Sequence, residues 1–191
     1  MINSFYTEDE LKQLGFAKIG KDVLISRKAS IYGANKIQIG NNVRIDDFCV
    51  LSGRITIGNY VHIAVYSALF GGDMGIELKD FTCLSSRNVV YAISDDYSGR
   101  SLTNSTVPDK YKNIVAGKIM LEKHVLVGSG CTILPGVSIG EGSAIGSMSL
   151  VNKSVDSWGI YVGIPCKFLK EREKNLLNLE QKLIREIQCG G

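Results

Sequence analysis

Residues Leu121 to Val151 read LEKHVLVGSGCTILPGVSIGEGSAIGSMSLV, and an aliphatic residue returns at every sixth position: Leu121, Val127, Ile133, Ile139, Ile145 and Val151. The same beat runs through the earlier part of the chain. It appears at Ile19, Ile25 and Ile31, and after a two-residue slip at Ile39, Ile45, Leu51, Ile57, Ile63 and Leu69. A three-residue slip precedes Leu78, Leu84 and Val90, and a long interruption separates Val90 from Leu121. Eighteen hexads result. Four residues after the aliphatic position stands a small or β-branched residue, as at Val43, Cys49, Val61, Ser67, Cys131 and Ser143.

This pattern predicts one short strand and one tight turn per hexad. The aliphatic and the small residue point inward, and the glycine that often follows the aliphatic relieves crowding at the turn. Ordinary hairpins alternate with period two and lack a fixed six-residue beat. Three hexads make one triangular coil, and stacked coils bury a continuous column that no single coil could bury. The interruptions follow hexads three, nine and twelve. All are multiples of three, so every insertion leaves from the same edge of the prism, and in repeat folds such insertions often mark the binding face.

The organisation expected is a single domain over 1–191. A cap helix lies within 1–16, with Thr7 as N-cap and Gly15 as stop. The β-helix runs over 17–156 with an inserted loop at 93–118. Residues 157–191 form an exit segment and a helix with Leu176, Leu179, Leu183 and Ile187 at helical spacing. A charge of +3, from 22 basic and 19 acidic residues, is too balanced for a nucleic-acid surface. No apolar run approaches the ~18 residues of a membrane span. Five cysteines without a C-x-x-C pair suggest neither a disulfide frame nor a zinc site, and fit a reducing cytoplasm.

The repeat resembles that of the hexapeptide-repeat acyltransferases over Ile19 to about Arg172. Residues 124–153, HVLVGSGCTILPGVSIGEGSAIGSMSLVNK, look like the last coils of galactoside and maltose O-acetyltransferases. The segment WGIYVGIPCK at 158–167 resembles their exit motif, and SDDYSG and LTNSTVP in the loop are similar to acetyltransferases of surface-polysaccharide synthesis. The resemblance implies an all-β fold, a left-handed parallel β-helix of about six triangular coils. It also implies an acetyl-CoA co-substrate, direct transfer in a ternary complex, and a homotrimer with sites between subunits.

The function expected first is O-acetylation of a sugar hydroxyl, with N-acetylation of a nucleotide-linked amino-deoxy sugar as the alternative. The family places a histidine base on the inserted loop. Here Asp96, beside Asp95, takes that place, and residues 91–118 contain no histidine. Only His62 and His124 exist. Stacking by threes puts Arg44, His62, Cys83, Leu126 and Ala144 in one column. His62 is therefore the expected general base, oriented by Asp95 or Asp96 of a neighbouring subunit across the trimer. His124 is expected at the surface. Cys49 and Cys131 fill inward slots as compact hydrophobes. For the coenzyme, the resemblance implicates Leu126, Ser129, Gly146, Ser147, Asn152, Lys153, Lys167 and Lys170. Tyr97, Arg100 and Cys83 are the residues expected to meet the acceptor. Two histidines fall short of the three that a metal-dependent β-helix of the γ-carbonic-anhydrase kind needs, so no metal is expected.

Overall fold

The computed structural model describes residues 4–189. The hexads form a parallel β-helix with three faces, in keeping with a left-handed coil. The second face shows the stacking most plainly. Its rungs are Leu24–Ile25, Arg44–Ile45, His62–Ile63, Cys83–Leu84, Leu126–Val127, Ala144–Ile145 and Gly159–Val162, all parallel, followed by the antiparallel strand Lys167–Glu171. The first face carries Lys18–Ile19, Ile37–Ile39, Ile119–Leu121 and Ser138–Ile139, and the third carries Ser30–Tyr32, Val89–Tyr91, Thr132–Ile133 and Leu150–Val151. Two long strands, Val50–Ile57 and Ala68–Leu78, turn the third edge without a break and join the third face to the first.

The aliphatic residue of each hexad points inward. Ile25, Ile45, Ile63, Leu84 and Val127 are fully buried, one above another. Burying such a side chain contributes about 1.5–3 kcal/mol, and truncating one to alanine costs about 2–5 kcal/mol. Cys49 and Cys131 are fully buried in the small slot, where burial pushes both thiols up.

The turns between faces explain the period. At the first edge, between the first and second faces, Asn42, Tyr60, Phe81, His124 and Trp158 all have φ near +60°. At the second edge Phe48, Tyr66, Arg87 and Met148 do the same. A left-handed residue turns the chain sharply at a cost of roughly 1–2 kcal/mol for a non-glycine side chain, and it directs that side chain away from the core.

Three features extend the expected organisation. The exit segment continues the coil: Val155 bridges Ile139, Tyr161 pairs with Ile145, and the Cys166 amide donates to the Leu150 carbonyl. The helix thus has about seven turns, the last incomplete, and its upper boundary lies near 166 rather than 156. At the base, α1 (Glu8–Gln13) is closed by a capping box between Thr7 and Glu10 and buries Leu11 against the first coil. At the top, α2 (Leu176–Cys189) folds back over the first edge through Glu180, while Leu179, Leu183 and Ile187 remain exposed. Among the described residues no helix is long and apolar enough to cross a membrane.

Candidate functional site

The long insertion leaves the third edge after Tyr91. Ile93–Asp95 and Ile114–Ala116 pair as an antiparallel ribbon that carries the loop outward. This ribbon and the upper rungs of the third face enclose a cleft of about 900 Å³. Asp95, Asp96 and Tyr97 line one wall, Thr132, Leu134, Pro135 and Asn152 the other, with Tyr91, Ile93, Val115 and Leu150 between them.

The two aspartates do different things. Asp96 is 7% exposed and organises the loop. Its carboxylate accepts from the Ser98 amide and hydroxyl, both at 2.8 Å, and from Ser101 and Asn113. The Ser98 backbone N–H, then these side chains, hold its carboxyl below the usual range despite burial. Among the described residues the Asp95 carboxylate accepts one bond, at 3.3 Å from the Asn104 backbone N–H, and lines the cleft. Tyr97 is 94% exposed, and Arg100 donates from Nε to the Ser98 hydroxyl at 3.0 Å.

A second constellation stands at the second edge. The Ser86 and Ser129 hydroxyls lie 3.3 Å apart, and the Ser129 amide donates to Ser147 Oγ at 3.2 Å. Gly128 permits this approach, since a Cβ there would sit 2.6 Å from the Ser147 nitrogen. Beneath the edge, fully buried Asn88 fixes the turn. Its Nδ2 donates to the Ser85 carbonyl at 2.6 Å and its Oδ1 accepts from the Cys131 amide at 2.8 Å. The residues expected on the coenzyme path therefore divide. Leu126, Ser129, Gly146 and Ser147 gather on the second face and edge. Asn152 and Lys153 lie at the third edge. Lys167 and Lys170 are exposed on the antiparallel strand above.

The column Arg44, His62, Cys83, Leu126 and Ala144 is present as successive rungs of the second face. His62 is half-exposed and finds a carboxylate, but not the expected one. Within the chain its Nε2 lies 2.8 Å from Asp46 Oδ2, while Arg44 Nε donates to Asp46 Oδ1 at 2.7 Å. Desolvation raises the Asp46 carboxyl, yet the hydrogen bonds from Arg44 and His62 bring it below the usual range. Asp95 and Asp96 stand at a different edge and do not meet His62 in one chain. Cys83, next on that column, is half-buried with its thiol pushed up, which disfavours the thiolate a nucleophile would need.

The architecture and the matching sequences now coincide. The family described as bacterial transferase hexapeptide (six repeats) matches residues 36–71 and 118–153. A dTDP-4-amino-4,6-dideoxy-D-glucose acyltransferase from Escherichia coli is 45% identical over 180 residues, 93% of each chain. This chain belongs to the hexapeptide-repeat acyltransferases. Among solved structures, AntD, an N-acyltransferase from Bacillus cereus in complex with dTDP and 3-hydroxybutyryl-CoA, superposes with a TM-score of 0.96 at 53% identity. The match covers 98% of this chain and all of AntD. The polysialic-acid-specific acetyltransferase NeuO, at 20% identity and a TM-score of 0.65, shares the fold.

Within this acyltransferase, one expected surface residue proves structural. His124 is only 8% exposed. Its ring stacks on Phe81 at 5.1 Å, and its Nε2 meets Glu180 at 2.8 Å under α2. The hexad places His124 outward correctly. What covers it comes from a helix more than fifty residues further along the chain. Asp46 was missed although it lies within the repeat: the Arg44–His62 register sets it, one residue past the Ile45 rung, beside the imidazole. Among the described residues, no three histidine, cysteine or acidic side chains gather as a metal site.

Proposed function

We propose that this acyltransferase moves an acyl group from a coenzyme A thioester to the amino group of a nucleotide-linked amino-deoxy sugar. The observation that carries this reading is the cleft at the inserted loop. Its unspent ionisable group is a carboxylate, Asp95, with no imidazole on the loop. A carboxylate pairs with an ammonium and is base enough to relieve it of a proton, whereas a sugar hydroxyl, far less acidic, calls for a stronger base such as an imidazole. AntD, whose structures include one with dTDP-4-amino-4,6-dideoxyglucose and coenzyme A, adds weight. Variants of AntD replace a serine and, ten residues further on (94 − 84), an aspartate. In this chain the same spacing relates Ser85 to Asp95 and Ser86 to Asp96. Since Asp96 is occupied within its loop, Asp95 with Ser85 is the pair assigned to the acceptor amine.

The chemistry follows. Asp95 attracts and orients the ammonium. Once the ammonium passes one proton to the Asp95 carboxylate, the neutral amine attacks the thioester carbonyl. The oxyanion that forms is met by hydrogen-bond donors at the second edge, where the Ser86 and Ser129 hydroxyls and the turn amides converge. Collapse breaks the carbon–sulfur bond. The amide keeps the acyl group, and the departing coenzyme A thiolate takes the second proton lost by the amine.

Asp95 stands at the third edge of one prism and the serines at the second. The site is therefore assigned to a homotrimer, with the loop of one subunit facing the second edge of the next. Asn152 and Lys153 of one subunit and Leu126, Ser129, Gly146 and Ser147 of the other then flank one coenzyme, with Lys167 and Lys170 placed for its phosphates. The whole chain, 1–191, acts as one domain. The cytoplasm, which supplies both acyl-CoA and nucleotide sugars, is the setting.

A panel assay tests the reading. Acyl-CoA is offered with a nucleotide-linked 4-amino-4,6-dideoxy sugar and with the same nucleotide sugar bearing a hydroxyl in place of the amine. Thiol release and an amide product with the amine alone are expected. An ester formed at the hydroxyl at a comparable rate would return the account to O-transfer.

A further inference from the structure

The second edge carries a feature the acyl-transfer chemistry does not use. Its left-handed residues stack by a backbone ladder. The amides of Phe48, Tyr66, Arg87, Gly130 and Met148 donate in turn to the carbonyls of Lys28, Asp47, Val65, Ser86 and Ser129. The Phe48 and Tyr66 rings are stacked with centroids 5.0 Å apart and planes 15° from parallel. Phe48 is 46% exposed and Tyr66 58%. Lys28 Nζ lies 5.4 Å from the Phe48 centroid. Arg87, also exposed, stands one coil above Tyr66, beside Ser86, and one coil below Ser129 and Gly130.

A left-handed corner is an expensive place for an aromatic ring, and here two rings stand in water side by side. They are continuous with the serines that the proposed mechanism uses. Coils stack about 4.8 Å apart, so two coils, about 10 Å, separate the Tyr66 ring from the Ser129 level. That interval contains one exposed guanidinium. A planar base, a doubly anionic linker and a sugar occur in the same order in an extended nucleotide sugar.

We infer that the Phe48–Tyr66 stack and Arg87 form the subsite for the nucleoside diphosphate half of the acceptor. The base lies on the outer face of Tyr66, and the diphosphate pairs with the Arg87 guanidinium. The sugar then reaches the Ser129 level beside the thioester. This assignment rests on the nucleotide-linked acceptor proposed above and adds the residues that hold its nucleotide.

Calorimetric titration with dTDP tests it on the full-length protein, with light scattering to follow assembly. Tyr66→Ala should weaken dTDP binding about tenfold, the scale of one base–aromatic stack. Arg87→Ala should weaken it at least as much, with Arg87→Lys recovering part. The KM for the nucleotide amino sugar should rise by the same factors and the KM for acyl-CoA should hold. Tyr32→Ala, at an exposed ring on another edge, should leave dTDP binding unchanged. Wild-type dTDP affinity in both Tyr66→Ala and Arg87→Ala would overturn the subsite. So would weaker binding explained by dissociation of the assembly, which would make the stack a subunit contact. The two proposals separate cleanly. If the wild type acylates the nucleotide amino sugar and the variants keep its KM, the subsite fails and the function stands. If the wild type acylates no amino sugar, the function itself fails.

Discussion

Two edges of this prism are built from the same turn and have opposite fates. At the first edge Tyr60 stacks on Phe81 at 4.9 Å and Phe81 on His124 at 5.1 Å, while the Trp158 ring lies flat on Gly142. Polar groups then seal the column. Glu180 from α2 binds Lys123 and His124, and the Arg172 guanidinium donates to the carbonyls of His124 and Gly142. At the second edge Phe48, Tyr66, Arg87 and Met148 project from the same backbone conformation and stay exposed, with no helix folded back over them among the described residues. The repeat decides that a residue points outward. The tail of the chain decides which outward column becomes core and which stays available for a ligand.

The largest expected effect is on the covered edge. Phe81→Ala removes the middle ring of a three-ring stack and should cost about 3 kcal/mol by denaturant titration, in the range for a packed aromatic. Tyr66→Ala on the bare edge should cost under about 1 kcal/mol. Equal losses at both edges would erase the distinction.

Next in size is the loop proposed to face the bare edge of a neighbouring subunit. Asp95→Asn should lower kcat/KM for the amino sugar about a hundredfold, equivalent to about 2.7 kcal/mol of transition-state stabilisation. Asp96→Asn should act instead by loosening the loop, visible as faster hydrogen exchange around Ser98. Equal kinetic effects with no change in exchange would contradict the division of labour between the two carboxylates.

Gly142→Ala comes third. Its φ is +67° and a Cβ would meet the Trp158 ring at about 2.5 Å, so a loss of about 2 kcal/mol is expected. Gly136→Ala has a similar φ of +80° but open space around it, and should cost only the backbone penalty of about 1 kcal/mol.

The smallest effect concerns pH. Burial opposes ionisation of Glu180, but hydrogen bonds from Lys123 and His124 outweigh it, and its carboxyl lies below the ordinary range. The folded chain therefore binds fewer protons there than the unfolded one. The anchoring of α2 is complete above the unfolded carboxylate pKa of ~4.3 and fades as pH falls through the depressed folded value. Hydrogen exchange of the α2 amides should accelerate in acid in the wild type and lose that sensitivity in Glu180→Gln.

Much of this architecture was legible in the sequence, because the hexad is local. The inward column, the buried Cys49 and Cys131, the common edge of the insertions and the Arg44–His62–Cys83–Leu126 register all follow from counting by six and three. What counting could not supply were side-chain contacts, some within the repeat and some made by segments outside it. His124 was expected at the surface because α2 returns over it from beyond the last hexad. The aspartate beside His62 was expected across a subunit boundary, whereas Asp46 of the same chain fills that role. Choosing between Asp95 and Asp96 required seeing the loop hydrogen bonds that occupy one and leave the other facing the cleft.

The central claim is that the bare second edge of one subunit and the Asp95 loop of its neighbour make one site, and mixing two disabled chains tests it most directly. Asp95→Asn disables the loop. Ser147→Trp obstructs the second edge from an exposed position. Each should be nearly inactive alone. Co-assembled in equal amounts, about a quarter of the junctions in a closed ring would pair an intact loop with an intact second edge. The account predicts recovery of about a quarter of wild-type activity. A mixture as inactive as its components would place the whole site within one chain and contradict it.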